Sequence, residues 1–195
     1  MSDVLKNPFT RELIRLGGTL LVISLIVAGC LGFVDALTAD KIEAITEQKT
    51  QDAMSAVIPG AQFTEQKFTD ESGLIQQVYS AEASGQYAGL CVKVAPMGFS
   101  GAIGIIVGIS PENQVLGIEI VSSTETAGLG SRASEPEWRE QFVGKTGPLT
   151  VQKNTASGEN DIVAISGATI TSKAVAAGVQ AALDYAAANQ PEVTQ

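Results

Sequence analysis

One stretch, Ser166-Gly167-Ala168-Thr169-Ile170-Thr171-Ser172, marks the turn between a predicted strand and a predicted helix. The apolar run Ile162–Ile165 before it is typical of a short strand, and an alanine-rich helical pattern follows from about Lys173 to Ala188. Backbone N–H groups at a helix start have no helical partner, and the helix dipole favours negative charge there, so the stretch suits a phosphate. Ser and Thr are also the preferred capping residues, so the pattern alone equally fits an ordinary N-cap.

With the Lys173-Ala174-Val175 that follows it, the stretch resembles the flavin-attachment site of a known family. This family comprises the FMN-binding subunits of the Rnf and the sodium-translocating NADH:quinone oxidoreductase complexes. Its members hold FMN as a phosphate ester on the threonine of a Ser/Thr-Gly-Ala-Thr motif, and the resemblance implies that this residue is Thr169. Many members carry an acidic residue three positions before the motif, where this chain has Val163; Asp161 lies nearby. The neighbouring positions implied for the cofactor site are Ser166, Gly167, Ala168, Thr171 and Lys173, the last either as a cationic contact or solvated.

Two glycine-containing segments resemble the family's other motifs. Gly98-Phe99-Ser100-Gly101-Ala102-Ile103 is similar to its G-Y-S-G-x-I segment, with Phe99 in place of tyrosine. Glu125-Thr126-Ala127-Gly128-Leu129-Gly130 is similar to its E-T-P-G-L-G segment, with Ala127 in place of proline. As generic sequence both are ordinary turns, but in the family both surround the flavin. The further cofactor-binding residues implied are Ser100, Gly101, Glu125, Thr126, Gly128, Leu129 and Gly130.

The composition excludes several classes of function. The chain of 195 residues has a net charge of −9 and no histidine. No basic patch is present to hold a nucleic-acid backbone, so nucleic-acid binding is not expected. Without histidine the usual general base and the commonest metal ligand are missing, and Cys30 and Cys91 have no metal-ligand spacing. We therefore expect no catalytic side chain and no metal site, and assign any redox chemistry to a bound cofactor.

An uncharged apolar run, Leu16–Val34, is close to the length that crosses a bilayer. It predicts a transmembrane helix. Basic residues precede the run and acidic residues follow it, which by the positive-inside rule leaves the N-terminus in the cytoplasm and the rest of the chain outside, attached to the cell membrane. The flanking charges are Lys6, Arg11 and Arg15 on one side and Asp35 and Asp40 on the other.

Two alternatives for this run stay open. A cleaved signal peptide would need a small-residue cleavage site, and none follows the run cleanly. Val27-Ala28-Gly29-Cys30 resembles a bacterial lipobox, in which Cys30 would become the lipidated N-terminus. The apolar run continues past Cys30, which favours a retained anchor. Under either alternative the folded part is extracytoplasmic.

The predicted fold is α+β, with an N-terminal transmembrane helix and stalk followed by a twisted, mainly antiparallel sheet with packed helices. The expected segments are a cytoplasmic head (1–15), the transmembrane helix (16–34), a helical stalk (35–58) and an extracytoplasmic FMN-binding domain (59–195). Alternating apolar residues and short turns favour an antiparallel meander. Its predicted strands are Phe63–Phe68, Leu74–Ala81, Gly89–Ala95, Ile103–Ile109 and Val115–Ser122. A short helix is expected over Glu135–Phe142, with Trp138 as a core anchor rather than a flavin stacker.

The resemblance implies electron transfer by covalently bound FMN in an Rnf-type, ion-translocating ferredoxin:NAD⁺ oxidoreductase. The chain would then be one component of a redox-driven ion translocase, with the complex's other membrane and iron–sulfur subunits, the lipid bilayer and a maturing flavin transferase as partners. Two alternatives remain: the C subunit of the sodium-translocating NADH:quinone oxidoreductase, and a membrane-anchored or lipoprotein FMN carrier outside any pump.

Overall fold

The computed structural model of the chain describes residues 8–70 and 72–189. A long helix, α1, spans Pro8–Val57, and the chain divides after Glu47 into two compact units. Within α1, the segment Ile14–Ala39 is apolar and long enough to cross a membrane, with a mean hydropathy of 2.5. It fits a single-pass membrane anchor. Residues 1–7 of the predicted head lie outside the described residues, and the predicted division into head, span, stalk and domain stays a prediction.

The second unit is built on a five-stranded sheet in which each strand pairs antiparallel with the next along the chain. A separate pair of short strands, β6 and β7, runs parallel. This architecture confirms the α+β prediction and the antiparallel meander. The strands are β1 (Gln62–Gln66), β2 (Ile75–Ala83), β3 (Gln86–Val94), β4 (Gly104–Ile109), β5 (Val115–Ser122), β6 (Thr150–Gln152) and β7 (Asp161–Val163).

The described part of this unit has two further helices, the short α2 (Pro136–Arg139) and the long α3 (Thr169–Asn189). Flanking α2 are 3₁₀ turns at Gly130–Ser134 and Glu140–Phe142. The expectation for Trp138 is confirmed: its ring is buried and meets Phe142 edge-on, with centroids 5.2 Å apart. Its indole N–H donates to the Val163 carbonyl at 2.8 Å, which ties α2 to β7.

Opposite faces of the sheet contact different helices, because side chains alternate along a strand. Leu90, Val92 and Val94 of β3 belong to the main core, to which α3 contributes its apolar side. Cys91, on the other face of β3, belongs to a smaller cluster with Met54 and Val57 from the end of α1. Burial on the first face holds α3 in a fixed position against the sheet. The core side chains of α3 are Ala174, Val175, Ala176, Val179, Ala182, Leu183 and Ala186.

The start of α3 differs from the prediction. The helix expected from about Lys173 begins one turn earlier, at Thr169, so the predicted boundary was wrong. The N–H of Ser172 donates to the Ala168 carbonyl at 3.0 Å and closes the first turn. The Ser172 hydroxyl also accepts the N–H of Ile165 and donates to the Ala168 carbonyl, both at 3.0 Å. These bonds place the hydroxyl residues from Thr169 onward inside the first turn, whereas the sequence pattern predicts them in the turn that precedes the helix.

Candidate functional site

The first turn of α3 presents Thr169 next to backbone N–H groups that lie ahead of the helical hydrogen bonds. Gly167 before it has a φ of +79°, a left-handed conformation that favours glycine, and this tight turn directs the chain into the helix. Ser172 contributes the first N–H bonded within the helix, so the N–H groups of Thr169, Ile170 and Thr171 precede the helical ladder. A threonine hydroxyl therefore lies at the positive end of the helix dipole.

A second wall is formed by the loop 125–130, which follows β5. The Leu129 N–H donates to the Thr126 carbonyl at 3.1 Å, and Gly128 between them has a φ of +74°. At Gly130 the loop comes so close to α3 that an added Cβ would lie 2.8 Å from the Thr171 hydroxyl oxygen. Only a glycine permits this approach.

The third element is the loop 97–102 between β3 and β4. The Gly98 N–H donates to the Gly101 carbonyl at 2.8 Å, which makes the loop a tight turn. A Cβ at Gly98 would lie 2.5 Å from Oε1 of Glu125. The loop therefore packs directly against the Glu125 carboxylate.

The Glu125 carboxylate joins these three elements. Its Oε1 accepts the backbone N–H of Ser100 at 2.9 Å, and its Oε2 accepts the hydroxyl of Thr171 at 2.6 Å. Burial alone raises the pKa of this carboxyl, but the hydrogen bonds from Thr171 and from the backbone of Ser100 and Phe99 outweigh it. The net pKa is lowered from the ordinary value of 4.5, and Glu125 is ionised at neutral pH.

Together the three elements enclose a cleft of about 340 Å³. Its wall includes three large apolar side chains that remain exposed: Phe99 at 70%, Leu129 at 45% and Ile170 at 56%. Exposed apolar side chains grouped in one cleft are expected where a flat apolar ligand binds. The cleft is lined by Phe99, Glu125, Thr126, Leu129, Gly130, Gly167, Ala168, Thr169, Ile170 and Thr171.

Most of the predicted site residues meet at this cleft, although they come from three separate segments of the chain. Ser100 reaches it through its N–H bond to Glu125. Five predicted residues are not part of the lining: Ser100, Gly101, Gly128, Ser166 and Lys173. Sequence reasoning did not include Phe99 and Ile170 among the site residues. Their signal was a large apolar side chain inside a turn motif, where polar residues are usual.

Comparison with known proteins relates the segment that forms the cleft to a known family. Residues 98–184, which contain all three motifs, match the FMN-binding domain family. The G subunit of the Na⁺-translocating ferredoxin:NAD⁺ oxidoreductase complex from Acetobacterium woodii is 36% identical over 181 residues, covering 85% of this chain and 87% of that protein. The chain belongs to the G-subunit family of ion-translocating oxidoreductase complexes.

Other members of the G-subunit family are similar over comparable lengths. The G subunit of the ion-translocating oxidoreductase complex from Aliivibrio fischeri is 33% identical over 175 residues, covering 81% of this chain and 82% of that protein. These matches favour the Rnf-type prediction over the alternative of a C subunit. Among solved structures, the C subunit of the Na⁺-translocating NADH-quinone reductase from Parabacteroides distasonis is similar, with 22% identity and a TM-score of 0.48 over 61% of this chain and 63% of that chain.

Proposed function

We propose that this member of the G-subunit family carries FMN in the cleft, bound covalently through Thr169, and transfers electrons within an ion-translocating ferredoxin:NAD⁺ oxidoreductase. One observation supports this above the others: Thr169 lines the same cleft as the exposed side chains of Phe99, Leu129 and Ile170. FMN combines a flat, largely apolar ring with a phosphate. The cleft offers an apolar wall and a helix N-terminus side by side, so its residues fit both parts.

The phosphate end is held by the first turn of α3. The N–H groups of Ile170 and Thr171 are free of helical partners and supply donors, and the helix dipole adds roughly 0.3–1 kcal/mol at an exposed position. Lys173 is exposed and lies one turn further on the same helix face as Thr169, where its charge favours an anion. Gly167 and Ala168 keep the approach to this end free of bulky side chains.

The ring end is held by apolar contact. Phe99 approaches from the loop 97–102, Leu129 from the loop 125–130, and Ile170 from α3 itself. Covering these side chains removes apolar surface from water, which contributes about 25 cal/mol per Å². The bound flavin supplies the redox chemistry by accepting and releasing electrons, and the chain's residues hold it and exclude water.

Attachment requires a separate flavin transferase that uses FAD. The Thr169 oxygen bonds to the phosphorus of the FMN half, the pyrophosphate bond of FAD breaks, AMP leaves, and the hydroxyl proton passes to a base. Since this chain has no histidine, the usual general base, we assign that base to the transferase. Thr171 is a poor acceptor because it is 1% exposed and its hydroxyl is bonded to Glu125. Ser166 is exposed, but it precedes the helix and is not part of the cleft lining.

The localisation is also part of the proposal. Residues 16–34 of α1 would cross the membrane with 1–15 in the cytoplasm, while the stalk 35–58 and the domain 59–195 lie outside. Arg15 directly precedes residues 16–34 and Asp35 directly follows them, and these charges are the ones that the positive-inside rule requires. An alkaline phosphatase fused to the C-terminus should then be active. A fluorescent protein that matures only in the cytoplasm, fused at the same end, should be dark, and the opposite pair of results would contradict this orientation.

In this role the chain would exchange electrons with the membrane and iron–sulfur subunits of its complex. Covalent attachment suits a carrier outside the cytoplasm, where a dissociated flavin could not be replaced. The proposal is tested by purifying the complex from membranes, denaturing it and measuring flavin absorbance on this chain after its separation from the others. We expect the flavin to stay with the chain and, before denaturation, to be reduced when reduced ferredoxin is added. A colourless denatured chain, or a flavin that ferredoxin does not reduce, would contradict the proposal.

A further inference from the structure

Glu125 uses both of its carboxylate oxygens inside the protein. One oxygen accepts the Ser100 N–H at 2.9 Å, and the other accepts the Thr171 hydroxyl at 2.6 Å. Its backbone is held as well, since its own N–H donates to the Ser123 hydroxyl at 3.2 Å. The side chain is therefore directed at two neighbouring elements of the protein, and each carboxylate oxygen already accepts a hydrogen bond before any ligand arrives.

The surrounding backbone is shaped to fit this carboxylate. A Cβ at Gly98 would lie 2.5 Å from Oε1 of Glu125. A Cβ at Gly130 would overlap Oε2 of Glu125 and lie 2.8 Å from the Thr171 hydroxyl oxygen. Glycines in two separate loops thus permit close contact with the same side chain. Like the hydrogen bonds, these close approaches indicate that the loops 97–102 and 125–130 and the first turn of α3 meet at the Glu125 carboxylate. We call this meeting point the junction.

We propose that Glu125 is a positioning residue: its carboxylate fixes the first turn of α3, and with it Thr169, against the loops 97–102 and 125–130. It does so through Thr171, which is on the same turn as Thr169, and through the Ser100 N–H. Glu125 binds no part of the flavin through its carboxylate. The proposal rests on the proposed function where it concerns Thr169, but the junction itself is a property of the chain without flavin.

The junction explains why an acidic side chain is present in a site for an anionic cofactor. A carboxylate near a helix N-terminus is favoured by the same dipole that favours a phosphate, so the two would compete if both bound the free N–H groups. Glu125 instead engages the Thr171 hydroxyl and leaves the N–H groups of the first turn to the phosphate. The hydrogen bonds to a charged acceptor are strong enough to fix the position of a helix end.

Amide hydrogen exchange on the full chain in detergent, produced without the flavin transferase, tests the junction directly. The reporters are the amides of Ser100, which donates to Glu125, and Ser172, which closes the first turn of α3. Glu125→Gln removes the charge and leaves one acceptor oxygen where the Ser100 N–H and the Thr171 hydroxyl now bond to two, so both contacts weaken and both amides should exchange about tenfold faster. The matched control is Glu82→Gln on β2, an exposed site outside the cleft, which should leave both rates unchanged.

A second pair of variants separates the hydrogen bond from the charge. Thr171→Val removes the hydroxyl and keeps the carboxylate, so exchange at Ser100 and Ser172 should rise as in Glu125→Gln. Thr171→Ser keeps a hydroxyl and should retain more of the parental protection than Thr171→Val. If Glu125→Gln unfolds the whole domain, the Thr171 pair decides: faster exchange confined to the cleft supports the junction, and equal or uniform rates for the two variants contradict it.

Flavin loading then connects the junction to Thr169. With a fixed time of exposure to the transferase and FAD, Glu125→Gln should be loaded about tenfold more slowly than the parent chain, because a misplaced acceptor reacts poorly. Unchanged exchange at Ser172 in Glu125→Gln would overturn the positioning role. Absence of flavin in the parent chain would contradict the proposed function instead, and it would leave the exchange result intact.

Discussion

The first turn of α3 and the rest of the same helix lie in different surroundings. From Ala174 onward α3 buries one apolar side in the core, including Val175, Val179 and Leu183. The first turn instead has a buried hydroxyl, Thr171, and exposes Ile170 at the cleft. Burial along the body fixes the helix against the sheet, and the exposed groups of the first turn, such as Ile170, remain available to a ligand. The fold and the candidate chemistry are therefore separable by mutation.

The largest expected effect is on stability, from Leu183→Ala in the body of α3. Leu183 is 1% exposed, and truncation of a buried leucine costs about 2–5 kcal/mol of unfolding free energy. The fraction of folded chain that carries flavin should not change. Urea unfolding combined with flavin absorbance measures both quantities, and the exposed Ala177→Ser is the matched control on the same helix. Normal stability together with a loss of flavin would break the distinction between the two parts of α3.

A smaller effect should appear as a pH dependence of the unfolding free energy, which arises from the Glu125 carboxylate bonded to the first turn. The folded pKa of Glu125 is lowered from 4.5, so its contribution to stability is fully present above about pH 4.5 and is lost as the pH falls through the folded pKa. The difference in unfolding free energy between the parent and Glu125→Gln should therefore narrow as the pH is lowered into this range. Urea midpoints measured from pH 7 to pH 3 check this. A difference that widens towards low pH would have the wrong sign.

The smallest effect concerns the ring end of the cleft. Leu129→Ala removes a side chain that is 45% exposed at the cleft wall, so little stability is lost. The environment of the flavin should change, and we expect a shift in its absorbance or reduction potential while the covalent FMN remains. Leu116→Ala on β5, outside the cleft lining and 39% exposed, is the control. An unchanged spectrum and potential in Leu129→Ala would show that the loop 125–130 is structural only.

Sequence patterns predicted the body of α3 better than its first turn, for a physical reason. Apolar periodicity reports burial, and the strands and the core side of α3 follow from it. At the start of α3 the Ile165 N–H donates to the Ser172 hydroxyl, a local contact that periodicity does not report. Serine and threonine fit both a cap and a first turn, so composition could not separate the two positions.

The candidate site could also be predicted from the sequence only in part. Its motifs were recognised by resemblance, and the structure brings most of their residues to one cleft. The sequence could not show that Glu125 bonds to Thr171, since this contact joins residues 46 positions apart. Nor could it show that Phe99 and Ile170 remain exposed at the cleft, because exposure depends on how the loops pack. Chemical type is readable from the chain, whereas contacts across the fold are not.

Peptide mass spectrometry of the flavin-bearing chain tests the central claim most directly. The full chain, produced together with the flavin transferase, should yield one modified peptide whose added mass of FMN lies on Thr169. Thr169→Ala should be folded and colourless, while Ser166→Ala should keep its flavin. An adduct on Thr171, on Ser166 or elsewhere in the parent chain, or a flavin that persists in Thr169→Ala, would contradict the account.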